Sequence, residues 1–333
     1  MIWLSTVIPM THKARCNLYI ASCDSQGGIY QYRLSEGMPP QKIGFTPMDR
    51  PMYMTVANQK MYTLLRAPFE NGESGLAIHD MNGEGMLENP AEAVSTKGEV
   101  ACHLAVDSGA VYVVNYISGS IARLPGRLAI HSGRSVHPTR QSSAHTHFVA
   151  VTPDQKYVCV TDLGMDKIFL YHKDLTLMNT VELPLGHGAR HLAFHGSGRY
   201  VFCANELAST VSMLKYHDGE MELLETVSVL PCDYDGESTA AAIRCEGNTV
   251  YVSNRGHDSV SVLELTGEGL LLKGHIPTFG KSPRDFWISG DLLITANELS
   301  DQVALISLSK KSMIERIDVK RPVCVIVRTE GEA

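Results

Sequence analysis

The feature that most constrains this chain is a unit of about 45 residues that recurs seven times. The stretch GARHLAFHGSGRYVFCANELASTVSML shares one frame with AHTHFVAVTPDQKYVCVTDLGMDKIFLY, so that Tyr200 falls on Tyr157. The same pattern returns at LYIASC, MYTLL, VYVVN, VYVSN and LLITAN, near residues 18, 61, 111, 250 and 292. Within a copy, an apolar run such as HLAF is followed by a turn (HGSG) and a second run, RYVFCAN. An alternating TVSMLKY comes next, then MELLETVSV after a DGE turn. Four short strands per repeat, punctuated by Gly, Asp and Asn, describe a blade of a β-propeller. No long stretch carries helical periodicity, so an alternating βα architecture is disfavoured.

The two ends of the chain complement each other. After MIERIDV, the fourth strand of the last copy, RPVCVIV is one strand more than that copy needs. The first copy has no opening strand within TVIPMTHKAR. The expected fold is therefore all-β: a single seven-bladed propeller spanning residues 1–333, closed by the C-terminal strand joining the first blade. Such closure removes exposed sheet edges, which otherwise template aggregation.

Charge and cysteine usage narrow the function classes. Lys+Arg number 29 against Asp+Glu 36, a net charge of -7, and no basic run is present. A nucleic-acid partner is not expected. No apolar segment approaches the ~20 residues of a membrane-spanning helix. The N-terminal MIWLSTVIPMTHKAR lacks the charged start and small-residue cleavage site of a signal peptide. The eight cysteines include no Cys-x-x-Cys pair, and Cys159 and Cys203 sit inside apolar runs. A reduced, cytoplasmic protein, monomeric or weakly homo-oligomeric, is the expectation.

Propeller topology brings the starts of first strands and the ends of second strands to one face. That rule collects His145, His147, Arg190, His191 and Arg284 from the starts. It collects Asn254, Arg255, Glu206 and Glu298 from the ends. The Asn or Asp recurring at 115, 162, 205, 254 and 297 fits turn capping, for which these side chains are suited. The arginines are different. Three guanidiniums on one mouth repel one another unless carboxylates or a bound anion compensate them.

At these residues the sequence resembles the seven-bladed propeller lactonases, a family that includes 6-phosphogluconolactonases and 3-carboxy-cis,cis-muconate lactonizing enzymes. The motifs are AHTHFVAVTPD, TDLGMDKIFLY, GARHLAFHGSGRYVFCANELASTV, YVSNRGHDSVSV and SPRDFWISGDLLITANELSD, within residues 144–301. The resemblance implies that the second histidine of H-x-H, His147, is an active residue. It implies the same for the arginine before HLAF (Arg190), the glutamate of NEL (Glu206) and the arginine of NRG (Arg255). Two departures stand out. Ala242 occupies a position where family members often carry glutamate, and Ala189 replaces the proline of G-P-R-H.

Opening a lactone requires a water nucleophile, a base and stabilisation of an oxyanion. Histidine titrates near working pH, and arginine offers a fixed charge with a fork of donors. His147 or Glu206 is the expected base, and Arg190 and Arg255 are expected to hold the substrate anion and the oxyanion. Arg284 and His191 are further anion contacts, with His145 and Asn254 also lining the substrate. No cofactor or metal is expected. The Asn and Asp oxygens could ring a Ca²⁺, but three arginines would oppose a cation. No G-x-S-x-G motif marks a serine nucleophile, and Cys102 reads as core filler. The substrate expected is a small anionic lactone, foremost 6-phosphogluconolactone. Muconate cycloisomerisation and a non-enzymatic binding scaffold are the alternatives.

Overall fold

The computed structural model describes residues 16–88 and 92–329. Its strands form seven antiparallel sheets, six of four strands and one with a fifth short strand. The only helical turn among the described residues is the 3-10 turn Glu298–Ser300. No helix among them is long and apolar enough to cross a membrane.

The chain divides into two compact units. One runs from Cys102 to Ile276 and contains sheets three to six. Sheet three begins at Ala101–Asp107, sheet four at Thr146–Val151, sheet five at Ala189–Phe194 and sheet six at Thr239–Glu246. Each continues with a strand ending in Asn or Asp, or one residue beyond it: Ala110–Asn115, Tyr157–Asp162, Tyr200–Asn205 and Thr249–Arg255.

Tyr200–Asn205 shows why these second strands read as unbroken apolar runs. Side chains alternate between the two faces of a strand. Here Val201 and Cys203 enter a cluster with Ile168, Leu170 and Leu192, shared with sheet four. Phe202 and Ala204 enter another with Ile243, Val250 and Val252, shared with sheet six. Both faces are buried, so both alternate positions must be apolar. Truncating the fully buried Phe202 to alanine would cost about 3–5 kcal/mol. The outermost strands, such as Glu220–Ser228, have one dry face only and alternate accordingly.

The second unit contains sheets seven, one and two, from Pro277 onward and up to Ala101. Its first sheet is stitched from both ends of the chain. The C-terminal strand Pro322–Thr329 pairs antiparallel with Cys16–Ser22, with Leu18 opposite Val327 and Ile20 opposite Val325. RPVCVIV therefore supplies the missing opening strand. Leu18, Ile20 and Val325 then pack with Ile294, Ala296 and Val303 of sheet seven.

A repeated irregularity prepares the functional residues. In sheet five, Ala189 pairs with Asn205 and His191 with Ala204, which leaves Arg190 as the extra residue of a β-bulge. His147 occupies the same bulge in sheet four, and Arg284 in sheet seven. Bulges re-aim a side chain that regular pleating would direct elsewhere.

Candidate active site

Glu206 is the hub. It follows Asn205, the last residue of its strand, and its backbone N–H donates to the Gly188 carbonyl at 2.7 Å. That bond ties the end of the second strand to the lead-in of the first. Gly188 has φ +72°, and a Cβ there would meet the Leu207 side chain at 2.7 Å, so the turn GHGAR requires glycine at this point.

Three guanidiniums converge on the Glu206 carboxylate. Arg190 donates from Nε to Oε2 at 3.0 Å, and Arg255 reaches the same oxygen from Nη2 at 3.0 Å. Arg140 donates from Nη2 to Oε1. The residues come from sheet five, from the end of the second strand of sheet six, and from the loop before sheet four. Burial would push the Glu206 carboxyl up. The charges of Arg255, Arg190, His147 and Arg140 outweigh it and hold the group well below the ordinary carboxylate range. Three positive charges on one negative leave the group with a formal excess of two.

Burial grades the three arginines. The Arg190 side chain is 3% exposed, that of Arg255 17% and that of Arg140 41%. Arg190 is thus committed to Glu206, whereas Arg255 and Arg140 face outward progressively. The Nε of Arg255 is buried and has no hydrogen-bond partner among the described residues. Gly256 follows with φ +111°, and a Cβ there would lie 2.1 Å from the Glu237 carbonyl oxygen. The NRG sequence therefore has a steric reason for its glycine.

His147 lies beside this cluster. Its ring sits edge-on to Tyr116, with centroids 5.6 Å apart, and to His191 at 5.2 Å. His191 in turn meets His103 at 5.3 Å, and His103 is 4.1 Å from Phe148. Burial drives His191 well below the usual histidine range, and the charges of Arg190, His147, His103 and Arg244 push in the same direction. His103 is lowered likewise, first by burial and then by Arg244 and Arg190. Both imidazoles are therefore neutral at pH 7. His191, expected from sequence to contact an anion, cannot do so as a cation.

Four other candidate side chains are engaged by neighbours within the fold. His145 stacks on Tyr116 at 4.4 Å, and its Nδ1 lies 2.9 Å from the Tyr116 carbonyl oxygen. Its second nitrogen faces the Ser143 hydroxyl at 3.4 Å, so the ring buttresses Tyr116. The Asn254 amide donates to the Ser259 and Ser261 hydroxyls on the next strand, Ser259–Thr266, at 3.1 and 2.7 Å, which braces the turn between the two strands. Arg284 belongs to the other unit, where it pairs with Glu298 at 3.4 Å, and Glu298 also holds Arg321. The repeat thus has its own Arg–Glu pair in sheet seven. Glu206, one of the two candidate bases, is occupied by guanidiniums on both oxygens.

Arg140 and Tyr116 were not singled out as site residues by sequence. Arg140 lies outside the repeat, on the fifteen residues 131–145 between Leu128–Ile130 and Thr146–Val151. Tyr116 follows Asn115, and its phenol lies close enough to Arg140 to feel its charge.

A family model described as a seven-bladed β-propeller lactonase matches residues 17–327. The chain belongs to the seven-bladed β-propeller lactonase family. An uncharacterized protein of Staphylococcus aureus strain N315 is 34% identical over 318 residues, covering 87% of this chain and 92% of that one. A solved structure from Lactobacillus plantarum superposes with a TM-score of 0.85 at 29% identity, covering 95% of this chain and all of that one (100%). The periplasmic gluconolactonase of Pseudomonas aeruginosa superposes with a TM-score of 0.83 at 25% identity, over 95% and 99% of the two chains. This lactonase propeller therefore shares its architecture with a protein named for a sugar-acid lactone.

Proposed function

We propose that this protein hydrolyses an anionic sugar-acid lactone, with 6-phosphogluconolactone as the foremost candidate. The observation that carries the reading is the gathering of Arg140, Arg190 and Arg255 on Glu206 beside His147. Family membership and the likeness to a gluconolactonase support it.

In this mechanism His147 is the base, because Glu206 is held ionised by three arginines and has little affinity for a proton. His147 takes a proton from water as the water oxygen attacks the lactone carbonyl carbon. Negative charge gathers on the carbonyl oxygen, opposite the guanidinium of Arg255. The tetrahedral intermediate collapses by breaking the bond from carbon to ring oxygen. The imidazolium returns its proton to that oxygen, which leaves as the sugar hydroxyl. The product is the open-chain acid, ionised at neutral pH. Arg190 acts one step back, fixing Glu206 so that Glu206 in turn orients Arg255 and Arg140.

The test is proton-decoupled NMR of purified protein with fresh 6-phosphogluconolactone, followed against spontaneous opening. Accelerated appearance of 6-phosphogluconate supports the proposal. No acceleration, with turnover of 3-carboxy-cis,cis-muconate instead, would replace it by cycloisomerisation.

A further inference from the structure

We infer that Arg140 is the residue that selects for a charged substituent on the substrate, clamping a phosphate ester or carboxylate remote from the lactone carbonyl. The inference rests on the lactone reading above and adds a specificity-determining residue to it.

The geometry is that of a preset donor. Arg140 is anchored on Glu206 through one guanidinium nitrogen, and the Tyr116 phenol stands close beside it. It is the most exposed of the three arginines, and the excess positive charge of the cluster faces solvent there. Planar, charge-assisted donation of this kind suits phosphate and carboxylate oxygens.

The loop that carries it is built to hold position. A fifteen-residue connection is long for a compact β fold, where such loops are usually functional. The next residue, Gln141, is fully buried and bonded on every side. Its side-chain amide donates to the Leu163 carbonyl at 2.8 Å, and its side-chain oxygen accepts from the His137 N–H at 3.0 Å. The Arg140 N–H itself donates to His137 Nδ1 at 3.2 Å. The Ser135 hydroxyl donates to Asp166, whose two oxygens also accept from Gly186 and Gly188 at 2.7 and 2.6 Å. Asp166 thus ties the Arg140 loop to the turn that holds Glu206.

The experiment compares wild type with Arg140→Gln and Arg140→Lys on three lactones: phosphorylated, carboxylated and neutral gluconolactone. The expected result is a fall of about 10- to 100-fold in the ratio of kcat/KM for a charged lactone over the neutral one in Arg140→Gln, expressed mainly in KM. Arg140→Lys keeps the charge without the fork and recovers part of the ratio. Whichever charged lactone loses more identifies the group clamped. An unchanged ratio in Arg140→Gln overturns the inference. Calorimetric titration with inorganic phosphate runs in parallel and does not depend on turnover. If wild type opens no lactone, the catalytic reading fails. The Arg140 assignment then stands if phosphate binds wild type at least 10-fold more tightly than Arg140→Gln, and falls if the two are equal.

Discussion

Replacing Glu206 by glutamine keeps the shape of the hub and removes its charge. The amide oxygen can still accept one or two guanidinium donors, but the amide nitrogen presents hydrogens to Arg140 or to the Arg190–Arg255 side. The cost is dominated by Arg190, whose side chain is 3% exposed and loses its counter-charge without access to water. Breaking one side of a buried pair costs about 3–5 kcal/mol. The half-exposed Arg140 adds little, because solvent screens it. At an unfolding entropy of ~2.1 cal/mol/K per residue, a chain of 333 residues loses about one degree of Tm for each ~0.7 kcal/mol. Glu206→Gln should therefore melt roughly 4–7 °C below wild type at pH 7 in differential scanning calorimetry. The pH dependence supplies the control. Because the folded carboxyl is held below its ordinary 4.5, its contribution is complete above that value and is lost as pH falls toward the folded pKa. The gap between the two proteins should narrow only below about pH 4.5. A variant melting within a degree of wild type at pH 7, or a gap constant from pH 7 to pH 3, would mean that the Glu206 charge does not hold the buried Arg190 in place.

Other perturbations test neighbouring parts of the site. The buried His103 and His191 are neutral in the fold, so the unfolded chain binds more protons below pH 6.5. Stability should fall there by up to about 1.4 kcal/mol per pH unit for each, and His191→Phe should remove about half of that slope in urea titrations at pH 7, 6 and 5. Arg255→Lys keeps a charge but not the fork, and should lower kcat/KM on a charged lactone by roughly 10-fold with Tm almost unchanged. Asp166→Ala deprives Ser135, Gly186 and Gly188 of their acceptor, and should cost about 2–3 kcal/mol in denaturant unfolding.

Legibility followed the repeat. The alternation along Tyr200–Asn205 and its equivalents, and the spare strand RPVCVIV, were readable because burial on two faces and edge closure both leave marks in local sequence. His147, Arg190 and Arg284, all collected from the starts of first strands, share one β-bulge position. What the repeat could not show was partnership. Arg284 has the same local frame as Arg190 and pairs with the equivalent carboxylate, Glu298, but the further guanidinium on that carboxylate is Arg321, which stands just before the C-terminal strand. His145 is next but one to His147, but its ring turns onto Tyr116. Arg140 left no periodic mark, since it sits on an irregular loop whose course is set by Gln141, His137 and Asp166. The length of that loop was its one sequence signal. The neutrality of His191 depends on burial beside Arg190 and two other imidazoles, which emerges only in three dimensions.

In the proposed mechanism His147 takes the proton from water beside an arginine-loaded Glu206. The most direct measurement is the initial rate of 6-phosphogluconolactone opening at pH 7, followed by proton release, for wild type and His147→Gln. Wild type should accelerate the opening clearly, and the variant should lose about 10²–10⁴-fold in kcat. Turnover by His147→Gln at the wild-type rate would contradict that role for His147.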